Sequence, residues 1–250
     1  QVADTASPFP TFDVPGGQVG MINVSHFAEF DVVGPDAADL LEYICVAKVG
    51  GDTPVGKGIY THFLDAKGGV RADLTVLRLA QDHYRVIDGA DAGHRDLTWV
   101  RRMAQDRGAN VTVTDTTTQF GCLGVWGPNA RATIQKIADE PESWSHENFP
   151  FAALRNLTIK GVPVLAFRIS YVGEQGWELH FKYEDGLALW DALAELGVTP
   201  VGVETYANTR RMEKSLRLQN GDLLTEYNLM ECDLARPKVK AADFHGKEAH

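Results

Sequence analysis

Between Val70 and Val76 the chain alternates cleanly: Val70, Ala72, Leu74 and Val76 fall on one face of a strand, Arg71, Asp73 and Thr75 on the other. Gly68-Gly69 marks a tight turn before it, and Gln81-Asp82-His83 punctuates before a second strand, Tyr84–Asp88. The pattern predicts a β-hairpin carrying one carboxylate, Asp73, in mid-strand. Taken alone, that polar face reads first as side chains that meet water. Upstream, Met21–Val33 holds enough apolar and β-branched residues for two strands and ends at Gly34-Pro35, with His26 read as a hydrogen-bonded structural histidine. A helix follows over Asp36–Ile44, its stripe formed by Leu40, Leu41 and Ile44. Gly50–Asp52 and Gly56–Gly58 read as loops and Ile59–Leu64 as a strand. Asp91–Arg107 reads as a helix with Leu97, Val100 and Met103 inward and Arg95, Arg101, Arg102 and Arg107 outward, capped by Gly108. Val111–Thr114 is a further strand.

The arrangement then returns. Cys122–Ile137 repeats strand, Gly-Pro, Asx-Ala and helix, with Gly34 and Gly127 lying 93 positions apart (127 − 34). Glu140–Pro150 is a polar loop; Val164–Tyr171, the turn Val172–Gly176 and Trp177–Phe181 make a second hairpin. A helix over 186–196 turns Leu187, Leu189, Trp190 and Leu193 inward, and Val201–Val203 is a short strand. These repeats predict an α+β protein of two lobes, 21–116 and 118–205, after an irregular lead-in over 1–20 and before a helical tail over 204–250. The hairpins hold equivalent places in the copies, so the pattern predicts a ligand cleft between them. In the tail, a helix over Glu204–Leu216 sets Tyr206, Thr209 or Arg210 and Glu213 on one side, and Asp243–Ala249 begins another.

Composition narrows the classes. The chain has 250 residues, 44% of them hydrophobic, and a net charge of −10, which argues against nucleic acid as a partner. Three cysteines without Cys-x-x-Cys spacing suggest neither a disulfide framework nor a metal site, and point to a reducing compartment, the cytoplasm or a mitochondrial matrix. No apolar run reaches membrane-spanning length.

Four blocks carry a resemblance: Gly68–Val76 (Gly-Gly-Val-Arg-Ala-Asp-Leu-Thr-Val), Ser170–Leu179 (Ser-Tyr-Val-Gly-Glu-Gln-Gly-Trp-Glu-Leu), Arg210–Ser215 and Asp243–Ala249. With Met21–Phe27 and both Gly-Pro corners, they resemble the glycine cleavage T-protein (aminomethyltransferase) family, most nearly its dimethylglycine and sarcosine dehydrogenase or oxidase branch. The resemblance implies a folate-binding fold of T-protein type, with a ferredoxin-like subdomain, and transfer of a one-carbon unit to N5 of tetrahydrofolate. It implies Asp73 as the catalytic residue beside N5. Thr75, Ile87, Tyr171, Glu178 and Arg211 match folate-contacting positions. Without the family, Glu178 reads first as a solvent-facing strand residue, Tyr171 as hairpin packing and Arg211 as a helix-surface charge paired with an acid. The implied donor is an N-methylated small molecule, an aminomethyl group on a lipoyl carrier protein, or a methyl on nitrogen, sulfur or oxygen, and the implied partner a flavoprotein domain or subunit. Ser215 stands where the family usually has glycine. No Gly-x-Gly-x-x-Gly fingerprint occurs, and the family's C-terminal barrel is absent, so the chain reads as part of a longer protein. The alternative is a folate-binding module without transfer chemistry, or a subunit of a larger flavin-dependent demethylating oxidase.

Overall fold

The computed structural model describes residues 19–234 and 239–250, so nearly all of the predicted lead-in lies outside the described residues. In chain order the first half forms β1 (Gly20–Asn23), β2 (Ala28–Val33), α1 (Ala37–Ile44), β3 (Lys57–Leu64), β4 (Val70–Ala80), β5 (His83–Asp88), α2 (Gly93–Asp106) and β6 (Thr112–Asp115). The second half forms β7 (Phe120–Trp126), α3 (Ala130–Gln135), β8 (Leu154–Ile159), β9 (Val162–Phe167), β10 (Gly176–Lys182), α4 (Gly186–Ala194) and β11 (Thr199–Pro200). They build two compact units, each around its own sheet.

One unit comprises Phe27–Thr117 and Arg217–His250. Its five strands are ordered β3-β4-β5-β2-β6, and every neighbouring pair is antiparallel. The alternation in β4 works as the sequence predicts on its apolar side: Ala72, Leu74 and Val76 pack with Phe30, Leu40 and Val100 beneath α1 and α2. The strand continues past Val76 with Arg78 buried and held by its terminal nitrogens, which donate to the carbonyls of Gly51 (2.9 Å), Gln81 (2.9 Å) and Thr53. Its backbone pairs with Lys57, so Lys57-Gly58 belong to β3 rather than to a loop. At the β3–β4 turn a Cβ on Gly69 would sit 2.0 Å from the Thr225 carbonyl oxygen, and Gly68 holds φ 81°. Only glycines permit that approach. The segment after Arg217 thereby closes over the turn, burying Leu223, Leu229 and Phe244 with Leu64 and Val70.

The other unit takes the chain up to His26 and Thr118–Leu216. Its sheet runs β11-β1-β7-β10-β9-β8. The strands β1 and β2 therefore pair in different sheets. An Asx turn, in which Asn23 Oδ1 accepts from the Ser25 N–H at 3.0 Å, ends β1. This corrects the reading of His26, which lies exposed in the turn rather than in an apolar strand. β8 had no counterpart in the sequence reading: it is an edge strand paired with β9 alone and buries chiefly Leu154 and Ile159. Within the loop after α3, a 3₁₀ turn over Pro141–Trp144 drives Trp144 into the core against Trp177, ring centroids 5.4 Å apart. Leu187 is 73% exposed, because α4 points Leu189, Ala192 and Leu193 inward and two residues turn a helix by about 200°. The strand expected at Val201–Val203 is β11 instead, two residues parallel to β1.

The two Gly-Pro corners share one geometry. Gly34 and Gly127 have φ 147° and 149°, and each carbonyl accepts the N–H three residues on at 3.0 Å. In the tail, a π-helical turn over Thr205–Arg210 passes into a short α-helical one, Arg211–Glu213. Ser215 then reverses the chain at φ 55°, which is the physical reason for a glycine preference there. Asp243–Ala249 yields only a 3₁₀ turn, Lys247–Ala249.

Candidate functional site

Pairing fixes what surrounds Asp73. Thr75 lies directly opposite Ile87 on β5, and Asp73 lies two residues along the same face. On the other side, β3 sets His62 opposite Asp73 and Tyr60 opposite Thr75. His62 is fully buried, with Nε2 3.2 Å from Asp73 Oδ1 and 3.1 Å from the Tyr60 hydroxyl. Asp73 Oδ1 is itself buried, and among the described residues no group donates a hydrogen bond to it. A carboxylate oxygen withheld from water needs a donor, and this one is held ready for a further one. The Asp73 face is therefore not the open polar surface that alternation alone allows.

Farther across the same sheet, charge pairs with charge. Arg85 binds Asp31 through Nε (2.7 Å) and a second nitrogen (3.1 Å), lies 3.3 Å from Glu29, and Asp31 also holds His83 at 2.8 Å. Beyond β5, Asp88 and Asp96 form a buried carboxyl pair, with Arg71 and Arg95 each on Asp96 at 2.9 and 2.7 Å. Burial, then the Asp96 charge, pushes the Asp88 carboxyl up to about 8.

Tyr171 and Glu178 flank the turn of the β9–β10 hairpin. Tyr171 packs against Tyr206 with ring centroids 5.3 Å apart, and Tyr206 stacks on Trp126 at 5.6 Å and 24°. Trp126 is fixed by its indole N–H, which donates to the Ile169 carbonyl at 2.7 Å. The three rings form a continuous aromatic run, with a small apolar pocket lined by Met21, Ile22, Val172 and Val201 beside Trp126 and Tyr206. Glu178 is 8% exposed and has its Oε2 3.5 Å from His180 Nε2. Arg211 is buried, and it donates to the carbonyls of Ala207 (2.8 Å) and Leu216 (3.2 Å), bracing the turn at Ser215. Its neighbour Arg210 holds the β9–β10 turn, bonding Glu174 at 2.8 Å and Glu213 at 2.7 Å. The structure thus groups Asp73, Thr75 and Ile87 on one sheet, and places Tyr171, Glu178 and Arg211 in the other unit.

The GCVT N-terminal domain profile matches residues 16–239. The chain belongs to that family. Its relatives include the mitochondrial dimethylglycine dehydrogenase of Rattus norvegicus, 35% identical over 238 residues, 93% of this chain and 27% of that protein. The same enzyme of Homo sapiens is 34% identical with the same coverage. This GCVT chain therefore spans about a quarter of the length of the curated relatives it matches. In fold it is similar to the glycine cleavage system aminomethyltransferase T of Bartonella henselae, with a TM-score of 0.81 at 22% identity, covering 93% of this chain and 62% of that one. A chain of the heterotetrameric sarcosine oxidase of Corynebacterium sp. U-96 aligns with a TM-score of 0.54 at 18% identity, covering 76% of this chain and 91% of that one.

Sequence reasoning on this GCVT domain missed His62, Trp126, Cys122, His180 and the Asp88–Asp96 pair. His62 carried no signal in the sequence: the hairpin opens with Leu64 opposite Val70, and an irregularity between Phe63 and Leu64 then shifts the register by one residue and sets His62 across from Asp73. Among the described residues no helix is long and apolar enough to cross a membrane.

Proposed function

We propose that this chain binds tetrahydrofolate and transfers a one-carbon unit to it, with Asp73 as the catalytic residue. The observation that carries the reading is the buried Asp73 Oδ1, 3.2 Å from His62 and without a hydrogen bond among the described residues. Tetrahydrofolate supplies a nucleophilic secondary amine, N5, that accepts the carbon. Asp73 offers an anionic oxygen to the cation that develops at an attacking amine, and it accepts the proton that the amine sheds. Thr75 and Ile87 shape the surface beside it. Glu178 supplies a carboxylate suited to the paired N–H groups of an amino-pyrimidinone edge. Tyr171 adds a flat ring, and Arg211 holds the turn beneath.

The donor we propose is an iminium derived from an N-methylated glycine, with an aminomethyl group on a lipoyl carrier as the second candidate. Similarity to dimethylglycine dehydrogenase, of which this chain covers only 27%, supports a flavoprotein domain or partner as the source of that iminium. The matching Gly34 and Gly127 corners support reading the two units as copies of one ancestral unit. A direct test supplies tetrahydrofolate and an iminium donor and quantifies the methylene product. Wild type raises its formation above the uncatalysed rate, and Asp73→Asn does not. Near-normal turnover in the variant removes the assignment.

A further inference from the structure

We infer that Cys122, Glu178 and His180 form a binding site for a borderline-soft divalent cation of the zinc class. β7 and β10 are antiparallel neighbours with Cys122 directly opposite His180, and Glu178 lies two residues from His180 on the same face. Their donor atoms all lie within 4.8 Å of one another. Cys122 is 1% and His180 2% exposed, so the thiol and the imidazole are withheld from water.

The geometry separates a cation site from a proton relay. In a nucleophile–histidine–carboxylate relay, the nucleophile and the carboxylate use different ring nitrogens. Here Cys122 Sγ lies 3.8 Å and Glu178 Oε2 3.5 Å from the same nitrogen, His180 Nε2. One nitrogen carries one proton or one lone pair and serves a single partner. A cation between the three serves all of them. Tetrahedral zinc with its usual bond lengths sets nitrogen and sulfur ligands about 3.6 Å apart and nitrogen and oxygen ligands about 3.4 Å apart, close to the separations present. The cysteine backbone is held for the role, with the Cys122 N–H donating to Ser25 Oγ at 2.9 Å. Mixed sulfur, nitrogen and oxygen donors favour zinc, cobalt or cadmium over magnesium or calcium. Three protein ligands leave a fourth position open.

Glu178 is also the residue proposed above to hold the pterin. On that reading, cation and tetrahydrofolate exclude one another, and zinc weakens folate binding.

Cobalt(II) is the probe, titrated into the reduced chain without folate. The inference expects one equivalent to produce a thiolate-to-cobalt charge-transfer band, displaced by zinc and lost in both Cys122→Ala and His180→Gln, with circular dichroism verifying that each variant folds. No band in the wild type overturns the inference, as does an undiminished band in either folded variant, which would place the metal on Cys45 or Cys232. Since this readout contains no folate, it stands or falls separately from the folate reading. A second titration, of tetrahydrofolate into zinc-loaded and metal-free chain, then tests the exclusion: unchanged affinity overturns that consequence alone.

Discussion

The β4–β5 and β9–β10 hairpins each carry a carboxylate in mid-strand, yet they set it among different neighbours. Asp73 sits beside a buried imidazole, on a sheet face otherwise laced by the Arg85, Glu29, Asp31 and His83 ion pairs. Glu178 sits on a face shared with a thiol, an imidazole and the indole of Trp126, which extends through Tyr206 to Tyr171. The first environment suits the movement of charge and protons, the second the recognition of a flat, hydrogen-bonding ring. The same supersecondary scaffold therefore carries two different side-chain environments, and the sequence along one face of each strand decides which.

The largest expected effect separates the two carboxylates. Asp73→Asn should cut turnover by about 10²–10⁴-fold while changing the Kd for tetrahydrofolate little, as expected for a group acting in the transition state. Glu178→Gln should instead raise Kd by about 10–100-fold, the size of a charge-assisted bond. Kd and kcat measured side by side for both variants decide this, and equal behaviour of the two breaks the comparison.

The charge lattices can be compared by removing one arginine from each unit. Arg85→Met removes the guanidinium from Glu29 and Asp31, and Arg210→Met removes it from the buried Glu174. Each should cost about 3–5 kcal/mol, because a low-exposure ion pair loses its cation. Urea titration should show the greater loss for Arg85, which neutralises two carboxylates with low exposure. Equal small losses in both would mean that neither lattice is sealed from water.

A third difference is a pH dependence rooted in one unit. The Asp88 carboxyl is raised from 3.8 to about 8, first by burial and next by Asp96. The folded state thus keeps a proton that the unfolded state releases above about pH 4, so this group's contribution is full below that pH and is lost as pH rises toward 8. Asp88→Asn should flatten that decline in urea midpoints measured from pH 4 to 8. A parallel decline in the variant would assign the proton elsewhere. The smallest expected change is in the other unit: Ser215→Gly should stabilise by about 0.5 kcal/mol by relieving a left-handed serine at φ 55°, readable as a slight rise in Tm.

What was legible in the sequence follows from what each signal measures. Alternation over Val70–Val76 found β4 and its buried face because period-two patterning is a direct record of burial. It stopped short at Arg78, since an arginine reads as polar in a sequence and its burial against backbone carbonyls leaves no signature there. β8 escaped for the opposite reason: an edge strand that buries chiefly its two ends leaves little alternation. Asp73, Thr75, Ile87, Tyr171, Glu178 and Arg211 were singled out as candidates for folate contact by the family motifs and not by pattern. The motif block Arg210–Ser215 also shows the limit of residue-by-residue transfer. Arg211, the matched residue, braces backbone carbonyls, whereas Arg210 reaches across to Glu174. Long-range pairs such as Cys122 with His180 depend on strand order in the sheet, and local sequence does not encode that order.

Calorimetric titration of tetrahydrofolate into the wild-type chain and into the Tyr171→Ala/Glu178→Ala double variant tests the central claim most directly. The account predicts micromolar binding by the wild type, lost in the folded double variant. Undiminished binding by the double variant, or none by the wild type, would contradict it.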